Sequence, residues 1–61
     1  MPELLVIVQR SDGSWMYMPF NDEQIAITYC NDMANYVVSH FKEITLFQYN
    51  GKDYIARRSY I

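Results

Sequence analysis

The chain has 61 residues, of which 51% are hydrophobic, 16% aromatic and 20% charged, with a formal net charge of −2. This composition excludes a disordered tail, because the apolar content is high and the net charge is low. The longest apolar run covers residues 4–8, far short of the about 20 residues that a membrane helix needs. With no stretch that resembles a signal peptide, the sequence predicts one cytoplasmic domain over residues 1–61.

The short length indicates that this domain needs additional support. A domain of roughly 60 residues buries only about 60% of its unfolded surface, so disulfides, a metal or a partner subunit usually stabilise it. Cys30 and His40 are the only cysteine and the only histidine, too few for a disulfide or a four-ligand zinc site. We therefore expect no metal and no cofactor, and self-association becomes the leading candidate.

The first predicted element is a β-hairpin. The dipeptide Asp12-Gly13 tolerates the positive φ angles of a two-residue type I′ turn, and strand-like sequence flanks it at residues 4–10 and 15–20. Pro19 has no N–H to donate to a neighbouring strand, so the second strand is expected either to fray there or to lie at an edge of the sheet.

A helix is predicted after the first hairpin. Asn21 is its expected N-cap, and Gln24 three residues later completes a capping-box pattern. Apolar residues then recur with helical spacing on one stripe, namely Ala26, Cys30, Met33, Val37 and Phe41. Its flanks are also apolar, with Ile25, Tyr29 and Tyr36 on one side and Ile27, Ala34 and Val38 on the other. This arc is wider than one sheet requires, which indicates a second contact surface.

A second hairpin follows the helix. Its predicted turn is Asn50-Gly51, which joins strands at residues 44–49 and 54–59. The complete order predicts an α+β fold of type ββαββ. In this fold, two β-hairpins form an antiparallel sheet, the central α-helix packs on one face, and oligomerisation completes the structure.

The two-residue turns also predict which strand residues share a face. One aliphatic set is expected to pack on the helix: Leu5, Ile7, Met16, Met18, Ile44, Leu46 and Ile55. The opposite side of the sheet, which we call the far face, is expected to carry Leu4, Val6, Val8, Trp15, Tyr17, Thr45, Phe47, Tyr49, Tyr54 and Ala56. A sheet with one wet face alternates apolar and polar residues, and this one largely does not. The far face is therefore expected to be buried against another protomer or a partner.

Arginines are predicted to accompany these aromatic residues, with Arg10 beside Trp15 and Arg58 opposite Glu43. Such a mixture stacks planar groups and pairs with phosphate or carboxylate. The same residues are also typical of a sheet-to-sheet interface with a cross-strand ion pair at its rim, which is the favoured interpretation, and the two are compatible if a ligand lies where protomers meet. The predicted ligand or partner contacts are Arg10, Trp15, Tyr17, Tyr49, Tyr54, Arg57 and Arg58, and the predicted oligomer contacts are Tyr29, Tyr36 and Phe47.

The basic residues are too few and too dispersed for extended nucleic acid. Arg57-Arg58 is the only basic doublet, and in a regular strand its two side chains point to opposite faces. Binding many phosphates requires clustered Lys and Arg, whereas this chain has a sequence pI of about 5.0. A small anionic molecule needs only one or two arginines.

Catalysis is not expected. Cys30 and His40 lie ten residues apart on the predicted helix, roughly 15 Å from each other, and cannot act as a nucleophile and its base within one protomer. Cys30 is expected to be a small buried hydrophobe and His40 a helix-terminal cation or interface residue. Asp22 and Glu23 fit the first turn of the helix better than a metal site.

No motif identifies a family. In its small size, acidity and aromatic content the chain resembles the very short proteins that bacteriophages encode to block host defences by binding or sequestration. The resemblance implies a non-enzymatic, homo-oligomeric inhibitor that binds and blocks a host protein through its aromatic surface. The alternative is an oligomer that sequesters a small anionic, nucleotide-like ligand between protomers.

Overall fold

The computed structural model describes residues 2–36 and 38–61, and Val38 by its backbone alone. The strands are β1 (Leu4–Arg10), β2 (Trp15–Phe20), β3 (Phe41–Tyr49) and β4 (Tyr54–Ser59), and the helix α1 spans Glu23–Tyr36. A short 3-10 helix, Val38–His40, precedes β3. The structure thus confirms an α+β fold with a four-stranded antiparallel sheet and one α-helix. Val37, which was assigned to the helical stripe, lies outside the described residues.

The sheet has the strand order β2-β1-β3-β4, and every neighbouring pair is antiparallel. Each hairpin therefore contributes one central strand and one edge strand. The pairing of β1 with β3 joins the two hairpins into one sheet. Pro19 lies on the edge strand β2, as its missing N–H requires.

The hydrophobic core lies between α1 and one face of the sheet. The helix contributes Ala26, Cys30 and Met33, which recur at the spacing of one helical stripe. Ala26 and Cys30 have no exposed surface, and their small side chains allow the helix to approach the sheet closely. The sheet contributes Leu4, Val6 and Val8 from β1, and Ile44 and Leu46 from β3.

The predicted faces of β1 are wrong, because the first turn is longer than two residues. The Arg10 N–H donates to the Ser14 carbonyl at 2.8 Å, and the Gly13 N–H donates to the Arg10 carbonyl at 2.9 Å. Gly13 has a φ of 93°, whereas no described non-glycine residue has a positive φ. This is a three-residue loop with a glycine bulge, not a type I′ turn. It pairs Val8 with Met16 rather than with Tyr17.

A one-residue shift in register moves every side chain of a strand to the other face. The three β1 residues that were expected on the far face therefore pack against the helix, and Leu5 and Ile7 lie on the far face instead. The prediction was correct for β2, where Met16 and Met18 pack against the core.

The second turn also differs from the prediction, without changing the faces. The Asn50 N–H donates to the Asp53 carbonyl at 3.0 Å, and Gly51, with a φ of 98°, comes first of the two loop residues. Asn50 Oδ1 accepts hydrogen bonds from the Lys52 and Asp53 N–H groups at 2.9 and 2.8 Å. Tyr49 consequently pairs with Tyr54. This register is shifted by two residues, so the side chains of β4 that precede Arg57 keep their predicted faces.

Both ends of the helix differ from the prediction. Asp22 is the N-cap, since its Oδ1 accepts from the Ile25 N–H at 3.1 Å, while Asn21 Oδ1 accepts from the Glu3 N–H at 3.2 Å and holds the start of β1. The helix ends at Tyr36. Phe41 begins β3 opposite Arg10 and reaches the core from a strand, because the aromatic and β-branched residues after His40 favour a strand over a helix.

Candidate functional site

The far face remains uncovered in the described part of the chain, because α1 packs on the other side of the sheet. The strand pairings place an apolar or aromatic side chain at most positions of this face. Its residues are Leu5, Ile7, Gln9, Trp15, Tyr17, Pro19, Glu43, Thr45, Phe47, Tyr49, Tyr54 and Ala56. The predicted aromatic character of this surface is therefore present in the folded protomer.

A groove of about 280 Å³ lies within the far face, and we call it the far-face groove. Ile7 pairs with Tyr17 on one side and with Thr45 on the other, so these three side chains form one row across the sheet. Thr45 is only 8% exposed, whereas Tyr17 is 60% exposed. The short central side chains thus form the floor between taller neighbours. The complete lining is Ile7, Trp15, Tyr17, Glu43, Thr45 and Phe47.

The groove contains one ionisable carboxylate. Thr45 Oγ1 donates to Glu43 Oε1 at 3.4 Å, a long bond that leaves most of the acceptor capacity of the carboxylate unused. Within residues 2–36 and 38–61, the ion pair that forms joins Arg57 to Glu23, on the helix side of the sheet. The far-face groove therefore combines aromatic rings with a negative charge that no cation of the described protomer neutralises.

The arginines lie away from this groove, contrary to the prediction. Arg10 donates to Ser14 Oγ at 3.1 Å and to Met16 Sδ at 3.2 Å, and Met16 packs against the core on the helix side. Arg58 pairs in register with the buried Leu46 rather than with Glu43. Its guanidinium lies 4.8 Å from the centre of the Tyr60 ring.

A β-bulge explains why both residues of the basic doublet lie on the helix side. Phe47 pairs with Ala56 and Leu46 with Arg58, so Arg57 is an extra residue in β4. Arg57 forms an ion pair with Glu23 and donates to Gln48 Oε1 at 3.0 Å. The prediction that the doublet points to opposite faces is therefore wrong, because it assumed a regular strand.

Two more predicted contacts occupy the opposite end of the far face. The rings of Tyr49 and Tyr54 are 5.2 Å apart between centroids. The Tyr54 hydroxyl donates to the Pro2 carbonyl at 2.6 Å. This hydrogen bond occupies the hydroxyl of Tyr54 within the protomer. A partner would therefore contact mainly the ring surfaces of Tyr49 and Tyr54.

The predicted oligomer contacts do not form one surface. Phe47 lines the far-face groove, whereas Tyr29 and Tyr36 belong to the helix. Tyr29 is half-buried against Phe20 with ring centroids 5.3 Å apart, and burial raises the pKa of its hydroxyl. Tyr36 is 81% exposed. On the outer side of α1, an open depression of about 300 Å³ is lined by Gln24, Ile25, Thr28, Tyr29 and Asp32.

The two residues considered for catalysis are in unrelated environments. Cys30 is fully buried in the core, and burial raises the pKa of its thiol to about 11, so at neutral pH it is not a thiolate nucleophile. His40 is exposed on the 3-10 helix. In the described residues, no group of three or more His, Cys, Asp or Glu side chains is arranged to hold a metal ion. Nor is any helix there long and apolar enough to cross a membrane.

The alternation within β3 correctly predicts Glu43, Thr45 and Phe47 on the far face. Two groove residues were nevertheless missing from the predicted site. Glu43 was expected to pair with Arg58, and Ile7 was expected on the helix side. Comparisons of the chain with protein-family models, with curated proteins and with solved structures found no match.

Proposed function

We propose that this chain is a non-enzymatic binding protein that acts in the cytoplasm by docking a partner protein on its far face and blocking it. The observation that carries the proposal is the uncovered aromatic groove formed by Trp15, Tyr17 and Phe47 on a face that no described element packs against. The resemblance to short phage-encoded inhibitors implies an activity of the same kind.

The chemistry of the groove supports a protein partner. Tryptophan and tyrosine are enriched among the residues that contribute most to protein interfaces, because they bury large areas while few torsions become fixed. Trp15 is 47% exposed and Tyr17 60% exposed on β2, whose pairing with β1 holds their backbone in place. Both side chains therefore present apolar area from a backbone that is held in place before binding.

The alternative, sequestration of a small anionic ligand between protomers, has less support. It requires arginine beside the aromatic residues, whereas Arg10 and Arg57 are engaged on the helix side by Ser14 and Glu23. The charged residue in the groove is Glu43, which repels an anion. For this alternative, a second protomer would have to supply the positive charge.

The test is affinity capture with matched variants. Immobilised wild-type protein is incubated with host lysate beside the double variant Trp15→Ala/Tyr17→Ala and the control Ile55→Ala, which changes an exposed apolar residue on the helix side of β4. We expect one partner that wild type and control retain, and that the double variant retains at least about tenfold less, because interface aromatics commonly contribute more than 1 kcal/mol.

Circular dichroism must first show that all three proteins are folded. Equal retention of the same partners by the double variant would contradict the proposal. Native mass spectrometry of the purified wild-type protein tests the alternative in parallel. A nucleotide-like anion that co-purifies in fixed stoichiometry would favour sequestration over docking.

Self-association is a second part of the proposal. Ile25 and Tyr36 are 58% and 81% exposed on α1, and a chain of this size gains much from covering such surface. Light scattering at low micromolar concentration is expected to give the mass of a dimer or larger assembly. The double variant Ile25→Ser/Tyr36→Ser should shift the measured mass towards that of the monomer. A stable wild-type monomer at this concentration would show that the protomer needs no second copy.

A further inference from the structure

We propose that the far-face groove receives a cationic side chain, lysine or arginine, from the partner protein. This inference rests on the proposed function and names the chemistry of the contact. The groove brings together Trp15, Tyr17 and Phe47 with the carboxylate of Glu43. Aromatic faces attract cations within about 6 Å of the ring centre, and a carboxylate accepts charge-assisted hydrogen bonds from ammonium or guanidinium groups.

The groove is slightly smaller than a typical small-molecule pocket. At about 280 Å³ it lies just below the range of about 300–1,000 Å³ that small-molecule pockets occupy. The long aliphatic stem of lysine or arginine packs on apolar surface while its charged end reaches a polar group. Here Ile7 supplies the apolar floor, and Glu43 supplies the polar group.

Glu43 determines which partner chemistry can cover the groove. A purely apolar partner would bury its carboxylate without a counter-charge, which is strongly unfavourable. The hydroxyl of Thr45 does not prevent this cost, because it supplies a single hydrogen bond at 3.4 Å to a group that can accept several. A cation satisfies the carboxylate and contacts the aromatic rings at the same time.

At the groove, as distinct from the proposed contact through α1, charge complementarity favours a foreign partner over a second copy of this chain. Each copy carries a net charge of −2, so two copies repel each other weakly, whereas a basic partner is attracted from a distance. Three of the five basic residues already have contacts within the protomer: Arg10 with Ser14, Arg57 with Glu23 and Arg58 with Tyr60.

The test uses blocked tripeptides Gly-X-Gly in which X is arginine, lysine or the neutral arginine analogue citrulline. Trp15 is the only tryptophan and lines the groove, so its fluorescence and its indole N–H signal in NMR spectra report occupancy directly. We expect saturable changes with the arginine and lysine peptides. The citrulline peptide should bind at least about fivefold more weakly, because it lacks the charge.

Two charge-matched variants locate the effect. Glu43→Gln should weaken binding of the arginine peptide to the level of the citrulline peptide, whereas Glu3→Gln should leave it unchanged, because Glu3 is exposed outside the groove. Both variants remove one negative charge, so a difference between them cannot come from net charge. Raising the salt concentration should weaken binding of the arginine peptide more than binding of the citrulline peptide.

Four outcomes would overturn the inference. The first three are equal binding of the arginine and citrulline peptides, unchanged binding by Glu43→Gln, and no saturable change at Trp15 up to the solubility of the peptides. A fourth is a wild-type dimer that Glu43→Gln dissociates, because the occupant would then be a second copy. In the first three cases the proposed function stands if Trp15→Ala/Tyr17→Ala still loses the captured partner, and it fails separately if that variant captures normally.

Discussion

Leu4→Ala is expected to cost about 2–5 kcal/mol of unfolding free energy, the range for removing a buried leucine side chain. Leu4 is 2% exposed and packs in the core beneath α1. At about 0.05–0.15 kcal/mol per residue, a chain of 61 residues has a total stability of roughly 3–9 kcal/mol. A single substitution at Leu4 should therefore unfold a large share of the molecules.

Leu5→Ala is the matched control, since it makes the same chemical change one residue later. Leu5 lies on the far face, half-buried between Pro19 and Phe47, and no described element packs above it. Its truncation removes less buried area and should cost about 1 kcal/mol. Urea denaturation followed by circular dichroism gives both free energies. A larger cost at Leu5 than at Leu4 would mean that β1 has the register predicted from a two-residue turn.

The first hairpin shows which features of the fold can be predicted from the sequence and which cannot. Asp12-Gly13 correctly indicates a turn between two strands, because both residues tolerate turn conformations. The same dipeptide is compatible with a two-residue loop and with a three-residue loop that ends in a glycine bulge. In the structure Arg10 and Ser14 close the longer loop. The choice between these two loops thus determines which face of β1 is buried, and the sequence of the turn alone does not predict that choice.

The end of the helix has a similar explanation. Apolar spacing continues to Phe41 without interruption, so a helical pattern alone provides no reason to stop. The competing signal is long-range, because Phe41 pairs with Arg10 and the His40 carbonyl accepts from the Ser11 N–H at 2.8 Å. Tertiary pairing of this kind overrides local helix preference.

The candidate site was predictable in its aromatic part and not in its charges. Trp15, Tyr17 and Phe47 were assigned to the far face because strand alternation is robust within each strand. The arginines were assigned wrongly because two irregularities, the first turn and the bulge at Arg57, change which face a residue joins. Such bulges depend on the partner strand and have no reliable local signature.

The small size of the chain explains why one face of the sheet is covered by the helix and the other is open. One helix of 14 residues covers the side of the sheet that holds Leu4, Val6 and Ile44, and the chain contains no second long helix among its described residues. A four-stranded sheet built from aromatic and aliphatic residues then has one face to offer to a partner. The proposed docking surface is thus a direct consequence of a small domain with an apolar composition.

Alkaline pH is expected to destabilise the protein through Cys30. Its thiol has no exposed surface, and burial raises its pKa from 9.0 to about 11. Below pH 9 the folded and unfolded states both carry the proton. Between pH 9 and about 11 the unfolded state loses the proton and the folded state keeps it, so stability falls as pH rises through this window.

The raised pKa of the thiol corresponds to a loss of at most about 3 kcal/mol, a large part of the stability of so small a domain. Tyr29 acts in the same direction above pH 10, because burial also raises the pKa of its hydroxyl.

Urea denaturation in the presence of a reductant, at intervals from pH 8 to about 11, measures the effect. Cys30→Ala should lower stability at pH 8 by leaving a small cavity, and should also flatten the decline between pH 9 and 10. Tyr29→Phe should flatten only the part above pH 10. The two variants therefore assign the alkaline loss to separate groups. An undiminished decline between pH 9 and 10 in Cys30→Ala would show that the thiol does not titrate as a buried group, and that α1 packs less closely on the sheet.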